Sequence, residues 1–430
     1  MQTGRGTIGL TSAILPPMTG QTTEQENQAH QRRLTGVLFG GVALSSTAHI
    51  AAVTISTLAI DEITGTASLA GVPSAAAVVG TAVGTTMLTL GVARRGRRPG
   101  LVLGYGIAAL GALLCIVSVI TASVAGLIGA MALLGLGNAS THLSRYAAAD
   151  MYPVSRRGAA LGTVVWAGTV GSVAGPALLQ PSGRLALSLG RSEMVGAYLV
   201  ALVFLGLAAV LYLVALRPDP MTLASEAPST RRVAWSALAS AFRLPQVRVA
   251  LSAMVAGQIV MVMIMTATPL HIRHHGSDLG IVGLVMSAHT LGMFALSPIT
   301  GRLADRFGGL RVALAGMVLL AVAAIGAAIG PGYSTPALVG LLWLLGFGWN
   351  MTFVSGSSML TAGVDTNVRA RLQGSVDSVT WISGAVAAVG SGLLYQASDY
   401  RVLGLVGLAL LVAPCAVLLA NRRLLATAQT

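Results

Sequence analysis

The sequence predicts an all-α membrane protein: twelve transmembrane helices arranged as two six-helix halves related by an internal repeat. Three observations predict it. The composition is too apolar to clothe a water-soluble globule, long charge-free stretches recur along the chain, and short motifs return about 212 residues apart. Of the 430 residues 54% are hydrophobic and only 9% charged, where a soluble domain carries about 25% charged residues. Mean hydropathy is +0.79. That balance argues against a soluble enzyme. It also argues against a nucleic-acid binder despite the net charge of +13, because basic recognition needs a polar domain to carry it.

The elements follow from the charges. A spanning helix needs about 20 mostly apolar residues. Stretches free of ionised residues cover 34–60, 63–93, 99–144, 158–183, 194–216, 249–272, 279–301, 312–364, 378–398 and 402–421. The third and eighth are each long enough for a helical hairpin, which brings the count to twelve spans. Barrel strands would alternate in polarity over about ten residues, and these runs are continuously apolar. Residues 1–33 are polar, rich in Gln and Thr, and lack the apolar core of a signal peptide. They read as a disordered cytoplasmic tail. Residues 34–216 make the N-terminal six-helix half and 248–421 the C-terminal one, with 422–430 a second cytoplasmic tail. Between the halves, 217–247 form a long polar cytoplasmic loop. There Trp235, Leu238 and Phe242 fall at i, i+3 and i+7 near Arg231, Arg232 and Arg243. That is the pattern of a short amphipathic helix on the membrane surface, with a flexible linker as the alternative.

Arginine placement sets the orientation. With the N-terminus inside, 22 of the 26 cationic residues fall in inside segments, and only Arg184, Arg191, Arg273 and Arg401 fall outside. The positive-inside rule then puts both termini in the cytoplasm. No lysine occurs, and arginine-only usage with abundant Ala and Gly suggests a GC-rich bacterial genome. The expected location is the bacterial cytoplasmic membrane. Cys115 and Cys415 lie in apolar runs and read as small buried hydrophobes.

The repeat is visible in register. Arg94 and Gly96 match Arg306 and Gly308 at an offset of 212, as Arg157 and Gly162 match Arg369 and Gly374. Leu133-Leu134-Gly135-Leu136-Gly137 matches Leu344-Leu345-Gly346-Phe347-Gly348 at 211. Parallel six-helix repeats are a recurring transporter design, with the substrate path between the halves.

Two motifs carry more specific information. In Gly301-Arg302-Leu303-Ala304-Asp305-Arg306-Phe307-Gly308, the glycines permit close approach and a tight turn. Asp305 can cap or pair across the inner face, and Arg306 anchors at the interface. This segment resembles the loop signature of the major facilitator superfamily, whose members are built as 6+6 helices. The resemblance covers residues 34–421 and implies that the loop latches an outward-facing state. The first-half counterpart keeps Arg94 and Gly96 but has Ala93 in place of the carboxylate, so the implied latch rests on the second half. In the fifth span, Gly162, Gly171, Gly175 and Pro176 follow the spacing Gly-(8)-Gly-(3)-Gly-Pro. This resembles the signature of the family's drug/proton antiporters. The three glycines are expected near one helix face for close packing, and Pro176 can kink the helix. The signature's two closing glycines are Leu179 and Gln180 here. In the fourth span Gly135 and Gly137 fit the antiporter pattern, while Met131 and Leu134 stand where it has Arg and Gln. The segments His289–Phe294 and Gly346–Asn350 look like a less characterised bacterial permease branch, which implies no substrate.

Ionisable residues within spans are functional candidates by default. Asp377, about two turns after Arg369, is the one carboxylate inside a predicted helix and the candidate proton or cation site. A pair with Arg371 or a loop arginine is the alternative. His49 and His289 sit mid-span, where a histidine either titrates near neutral pH or is held neutral by desolvation. Asn350 and Gln258 are candidate cavity hydrogen-bonders, or else helix–helix glue. Arg145, Asp150 and Arg157, with Arg156, cluster at the inner ends of spans 4 and 5 as a candidate ion-pair gate. His271, His274 and His275 near Asp278 have metal-ligand chemistry but no thiol among them, and no metal site is expected. Met254, Met261, Met263 and Met265 either line an adaptable path or pack as ordinary methionines.

These handles are too sparse and scattered for a membrane-embedded enzyme. No Gly-Lys-Ser/Thr phosphate loop is present, and nothing calls for a cofactor. The expected function is alternating-access transport of a small amphipathic or hydrophobic molecule. Proton-coupled efflux leads, on the fifth-span signature. A proton-coupled importer or a uniporter of a small metabolite is the alternative, and a non-transporting receptor the third. Expected partners are the substrate, protons and membrane lipid, without nucleic acid, for a chain acting as a monomer.

Overall fold

The computed structural model describes residues 20–223, 235–330, 334–361, 364 and 366–421. Every regular element among them is helical. The first half comprises α1 (Gly20–Thr64), α2 (Val72–Arg95), α3 (Arg97–Ile120), α4 (Val124–Asp150), α5 (Val154–Ala177), α6 (Leu179–Ser188) and α7 (Met194–Ala215). The connecting α8 spans Trp235–Phe242. The second half holds α9 (Pro245–His274), α10 (Leu279–Phe294), α11 (Ser297–Phe307), α12 (Gly309–Ile329), α13 (Thr335–Thr361), α14 (Thr366–Ala397) and α15 (Tyr400–Ala420). Eleven spans are long and apolar enough to cross a membrane, and the bent pair α5–α6 completes twelve.

Two spans are broken, both by proline. Pro181 has no N–H for the Ala177 carbonyl, and its ring crowds that turn. The chain bends by 45° between α5 and α6. The kink expected at Pro176 therefore falls just beyond it, since α5 continues to Ala177. Pro298 likewise leaves the Phe294 carbonyl without its helical donor, and the eighth span divides into α10 and α11.

Two connecting segments are more ordered than a tail or a linker. Residues 20–33 continue α1, built from good helix formers such as Gln, Glu, Ala and Arg. Gln31 Nε2 donates to the Met151 carbonyl at 2.6 Å and ties this extension to the end of α4. Leu238 and Ala241 of α8 are buried against Val247 and Ala250 of α9, Leu360 of α13 and Leu372 of α14. Arg231 and Arg232 lie outside the described residues.

The internal repeat holds in packing as well as in letters. In the first half α1 packs on α5 and α7, α2 on α4, and α3 on α4 and α7. In the second half the equivalent helices pair likewise, α9 on α14 and α15, α10 on α13, and α12 on α13 and α15. Glycines make the closest of these approaches. A Cβ on Gly135 would lie 2.0 Å from the Ala77 carbonyl oxygen, and one on Gly346 2.3 Å from that of His289. A Cβ on Gly137 would meet the Gly104 carbonyl at 2.3 Å, and one on Gly348 that of Gly316 at 2.9 Å. The repeated Leu-Leu-Gly-x-Gly segment thus does one job twice: each glycine brings its helix onto a neighbour's backbone.

Candidate functional site

The two halves meet through repeat-related contacts. A Cβ on Gly71, beside α2, would lie 1.7 Å from the Ala388 carbonyl oxygen of α14. The repeat mate of this contact sets Gly283 of α10 against Pro176 of α5, at 2.4 Å. Pro176 has no N–H for the Ser172 carbonyl, and Thr290 of α10 donates to it at 3.0 Å. Ser287 donates to the neighbouring Val173 carbonyl at 2.9 Å.

Further polar links between the halves gather at the end opposite the arginine-rich one. His274 Nε2 lies 3.0 Å from the Asp61 carboxylate, joining α9 to α1. Arg273 pairs with Glu193. Gln180 Nε2 donates to Asp278 at 2.9 Å, and Gln396 Oε1 accepts from the Ala67 N–H at 2.8 Å. Toward the arginine-rich end the same helices carry four glycines with space around them. Gly91 of α2, Gly162 of α5, Gly301 of α11 and Gly374 of α14 would each carry a Cβ with nothing within 4 Å.

Ionisable side chains from both halves lie within electrostatic reach of Arg145. His142 and Arg145 share a face of α4, three residues apart, and Arg145 lies five residues inside its end. Ser45 of α1 and Thr141 of α4 are 2.8 Å apart, which packs α1 against α4 in the region of His49 and His142. Arg145 and His49 both lie within electrostatic reach of His142. From the other half, Asp377 of α14 is half-buried and lies in the field of Arg145, without reaching ion-pair distance of 4.0 Å. The Arg145 guanidinium stacks 4.9 Å over the Tyr146 ring and donates to its hydroxyl at 3.2 Å. Arg145 Nε and His49 Nδ1 are buried without a partner. His142 is absent from the sequence-based candidates. The signal for it is its position three residues before Arg145, on a helix that the charge rule ends too early.

The other candidates are placed elsewhere. Asp150 pairs with Arg97 at 2.5 Å, and Arg157 Nε donates to the Tyr152 carbonyl at 3.1 Å. Neither joins Arg145, so the three expected as one gate do not converge. Asn350, 1% exposed, braces the broken eighth span. Its Nδ2 donates to the Met293 carbonyl and to Ser297 Oγ, both at 2.6 Å, and its Oδ1 accepts from Thr300 at 2.6 Å. Gln258 Oε1 accepts from the Trp349 indole at 2.7 Å. His289 is fully buried and bonds the Leu342 carbonyl through Nδ1 at 2.9 Å. These three hold helices together. Met254, Met261 and Met263 are buried and Met265 half-buried.

The motif residues divide in a similar way. Gly171 and Gly175 do pack closely, with Cβ positions 2.4 Å from the Ala43 carbonyl and 2.6 Å from that of Thr47, both on α1. Gly162 does not join them, because nine residues are two and a half turns and put it on the opposite side of α5. Gly96 and Gly308 have φ of +95° and +86°, a turn that glycine adopts without strain. Asp305 and Arg306 are exposed, Arg306 lying over the Phe307 ring at 5.3 Å. The Arg94 side chain lies outside the described residues. In the first half, Asp219 from beyond α7 accepts from the Arg97 and Arg98 N–H groups at 3.2 and 2.9 Å, capping α3 where the helix dipole favours an anion. At the opposite end, His271 stacks on Tyr400 at 4.4 Å, and His275 Nδ1 lies 2.6 Å from the His271 carbonyl oxygen.

Comparison with known proteins fits this geometry. The family model described as Major Facilitator Superfamily matches residues 37–281 and 249–427. The chain belongs to the major facilitator superfamily. Among curated relatives of this transporter, the uncharacterized MFS-type transporter YdeG of Bacillus subtilis (strain 168) is 36% identical over 405 residues, 92% of this chain and 93% of that one. The riboflavin transporter RfnT of Brucella anthropi is 27% identical over 372 residues, 86% and 91% of the two chains. Among solved structures, a D-xylose–proton symporter shares the fold at a TM-score of 0.68, with 15% identity over 89% of this chain and 96% of its own. The curated relatives are named as transporters, not as enzymes, and the candidate spans among the described residues make this chain a multi-pass membrane protein.

Proposed function

We propose that this transporter moves a small amphipathic molecule out of a bacterial cell by proton-coupled alternating access, its arginine-rich end facing the cytoplasm. The observation that carries the reading is the paired interface. Helices α2 with α14, and α5 with α10, touch at one end through Gly71 and Gly283 and leave Gly91, Gly162 and Gly374, with Gly301 of the continuing α11, open at the other. A rocking motion about the midplane exchanges which end is closed. The 22-to-4 arginine distribution supports the orientation. Proton coupling is assigned to Asp377, a carboxylate inside a span with a charged neighbour on the opposite half. Export is favoured by the resemblance of the Gly162–Pro176 segment to the antiporter signature. A planar aromatic substrate has support in the relative named as a riboflavin transporter.

The test is flux in proteoliposomes with a trapped pH-sensitive dye and an imposed proton gradient. The panel holds lipophilic cations, organic acids, neutral antibiotics and riboflavin. The expected result is substrate-dependent proton movement, with protons and substrate crossing in opposite directions. Downhill substrate flux with no proton movement would leave a facilitator, and movement in the same direction would make the protein an importer.

A further inference from the structure

We propose that His49, His142 and Arg145 hold the anionic head group of the substrate, a single carboxylate or an acid group of like charge. The proposal rests on the transporter reading and narrows its substrate class. Arginine stays charged at every accessible pH, and a guanidinium carries five donors in a fixed fork that matches a carboxylate. Arg145 uses one of them on the Tyr146 hydroxyl and leaves Nε buried without an acceptor. A charge at this depth is expensive unless paired. No acidic group lies within ion-pair distance of it among the described residues.

The histidines fit the same purpose. The Ser45–Thr141 contact fixes α1 against α4, and His49 Nδ1, buried without a partner, lies one turn beyond it. His142 lies three residues before Arg145 on α4 and within electrostatic reach of both Arg145 and His49. Two packed helices of one half therefore present buried polar atoms, Arg145 Nε and His49 Nδ1, that lack a partner. Asp377 of the other half lies in the field of Arg145 without ion-pairing to it. A substrate anion and the Asp377 carboxylate then compete for one guanidinium. The substrate takes it while the halves are parted at the arginine-rich end, and Asp377 approaches it when that end closes. Such exchange favours a molecule with one acid group on an apolar body over a cation or a doubly charged acid.

The test uses the full-length transporter in nanodiscs, with phenylglyoxal as an arginine-directed reagent and peptide-level mass spectrometry reading the adduct at Arg145. Three probes share one ring system: 2-naphthoate, 2-naphthamide and 2-naphthylmethylammonium. The expected result is that naphthoate protects Arg145 while the amide and the ammonium compound do not. Loss of one charge-assisted hydrogen bond in Arg145→Gln should weaken naphthoate binding about tenfold or more, with Arg145→Lys intermediate. If Arg145→Gln does not fold, His49→Gln serves in its place and should also weaken naphthoate more than naphthamide. Equal protection by all three probes, no protection by naphthoate, or an Arg145 that never reacts would each overturn the proposal. Naphthoate flux into proteoliposomes separates the two levels. Protection without flux keeps the anion site and sinks the transport reading. Flux without protection keeps transport and sinks the site.

Discussion

Gly162→Leu and Gly171→Leu, nine residues apart on α5, are expected to differ sharply in stability. At Gly171 a Cβ would lie 2.4 Å from the Ala43 carbonyl oxygen and 2.7 Å from the Ser46 Cβ. Overpacking costs about 1–3 kcal/mol where side chains yield, and the obstacle here is the backbone of α1. Gly171→Leu should therefore leave little monodisperse protein after extraction. At Gly162 nothing lies within 4 Å of a Cβ, so Gly162→Leu should extract and melt like the parent. Its repeat mate Gly374 is equally open and sits three residues before Asp377, on the face that meets the field of Arg145. In the proposed cycle these two positions become interface when the arginine-rich end closes. The double variant Gly162→Leu/Gly374→Leu should be stable yet transport at background rate. Normal transport by that folded variant would show that the two helix faces never close on a partner.

The second large effect is expected at Asp377. Asparagine matches the protonated carboxyl in size and charge but cannot exchange a proton. Asp377→Asn should therefore abolish substrate-driven proton flux in the pH-dye assay. Substrate exchange across a membrane with no gradient should persist, because the halves can still rock with a neutral side chain at 377. The measurement is paired: dye signal and counterflow on the same vesicles. Proton flux that survives Asp377→Asn but fails in His142→Gln or His49→Gln would move the proton site to the first half.

Much of this arrangement was legible in the chain, for a physical reason. Charges cannot rest against lipid, so they collect at span ends and mark twelve spans. The glycines of the repeat announce where helices touch, and Gly135 with Gly346 and Gly137 with Gly348 make matching contacts. The candidate site was harder to read. Arg145 ends a charge-free run, as any arginine does, although α4 continues five residues past it. His142 carries no formal charge and left no mark in that count. Gly162 was grouped with Gly171 by motif spacing, while helix geometry sets them on opposite sides. Asn350 looked like a cavity donor, since only the break before Pro298 reveals the Met293 carbonyl that it binds. The Asp219 cap on α3 joins residues more than 120 apart, and no local pattern announces it.

The central claim is that the two ends of one interface open and close in opposition. Distances between spin labels across each end test it most directly, with one pair at Glu62 and His275 and another at Thr163 and Arg302, all exposed positions. The links at the closed end include Asp61–His274 and Glu193–Arg273. In Asp61→Asn/Glu193→Gln the account predicts that the first distance lengthens while the second shortens. Lengthening at one end with no change at the other would contradict it.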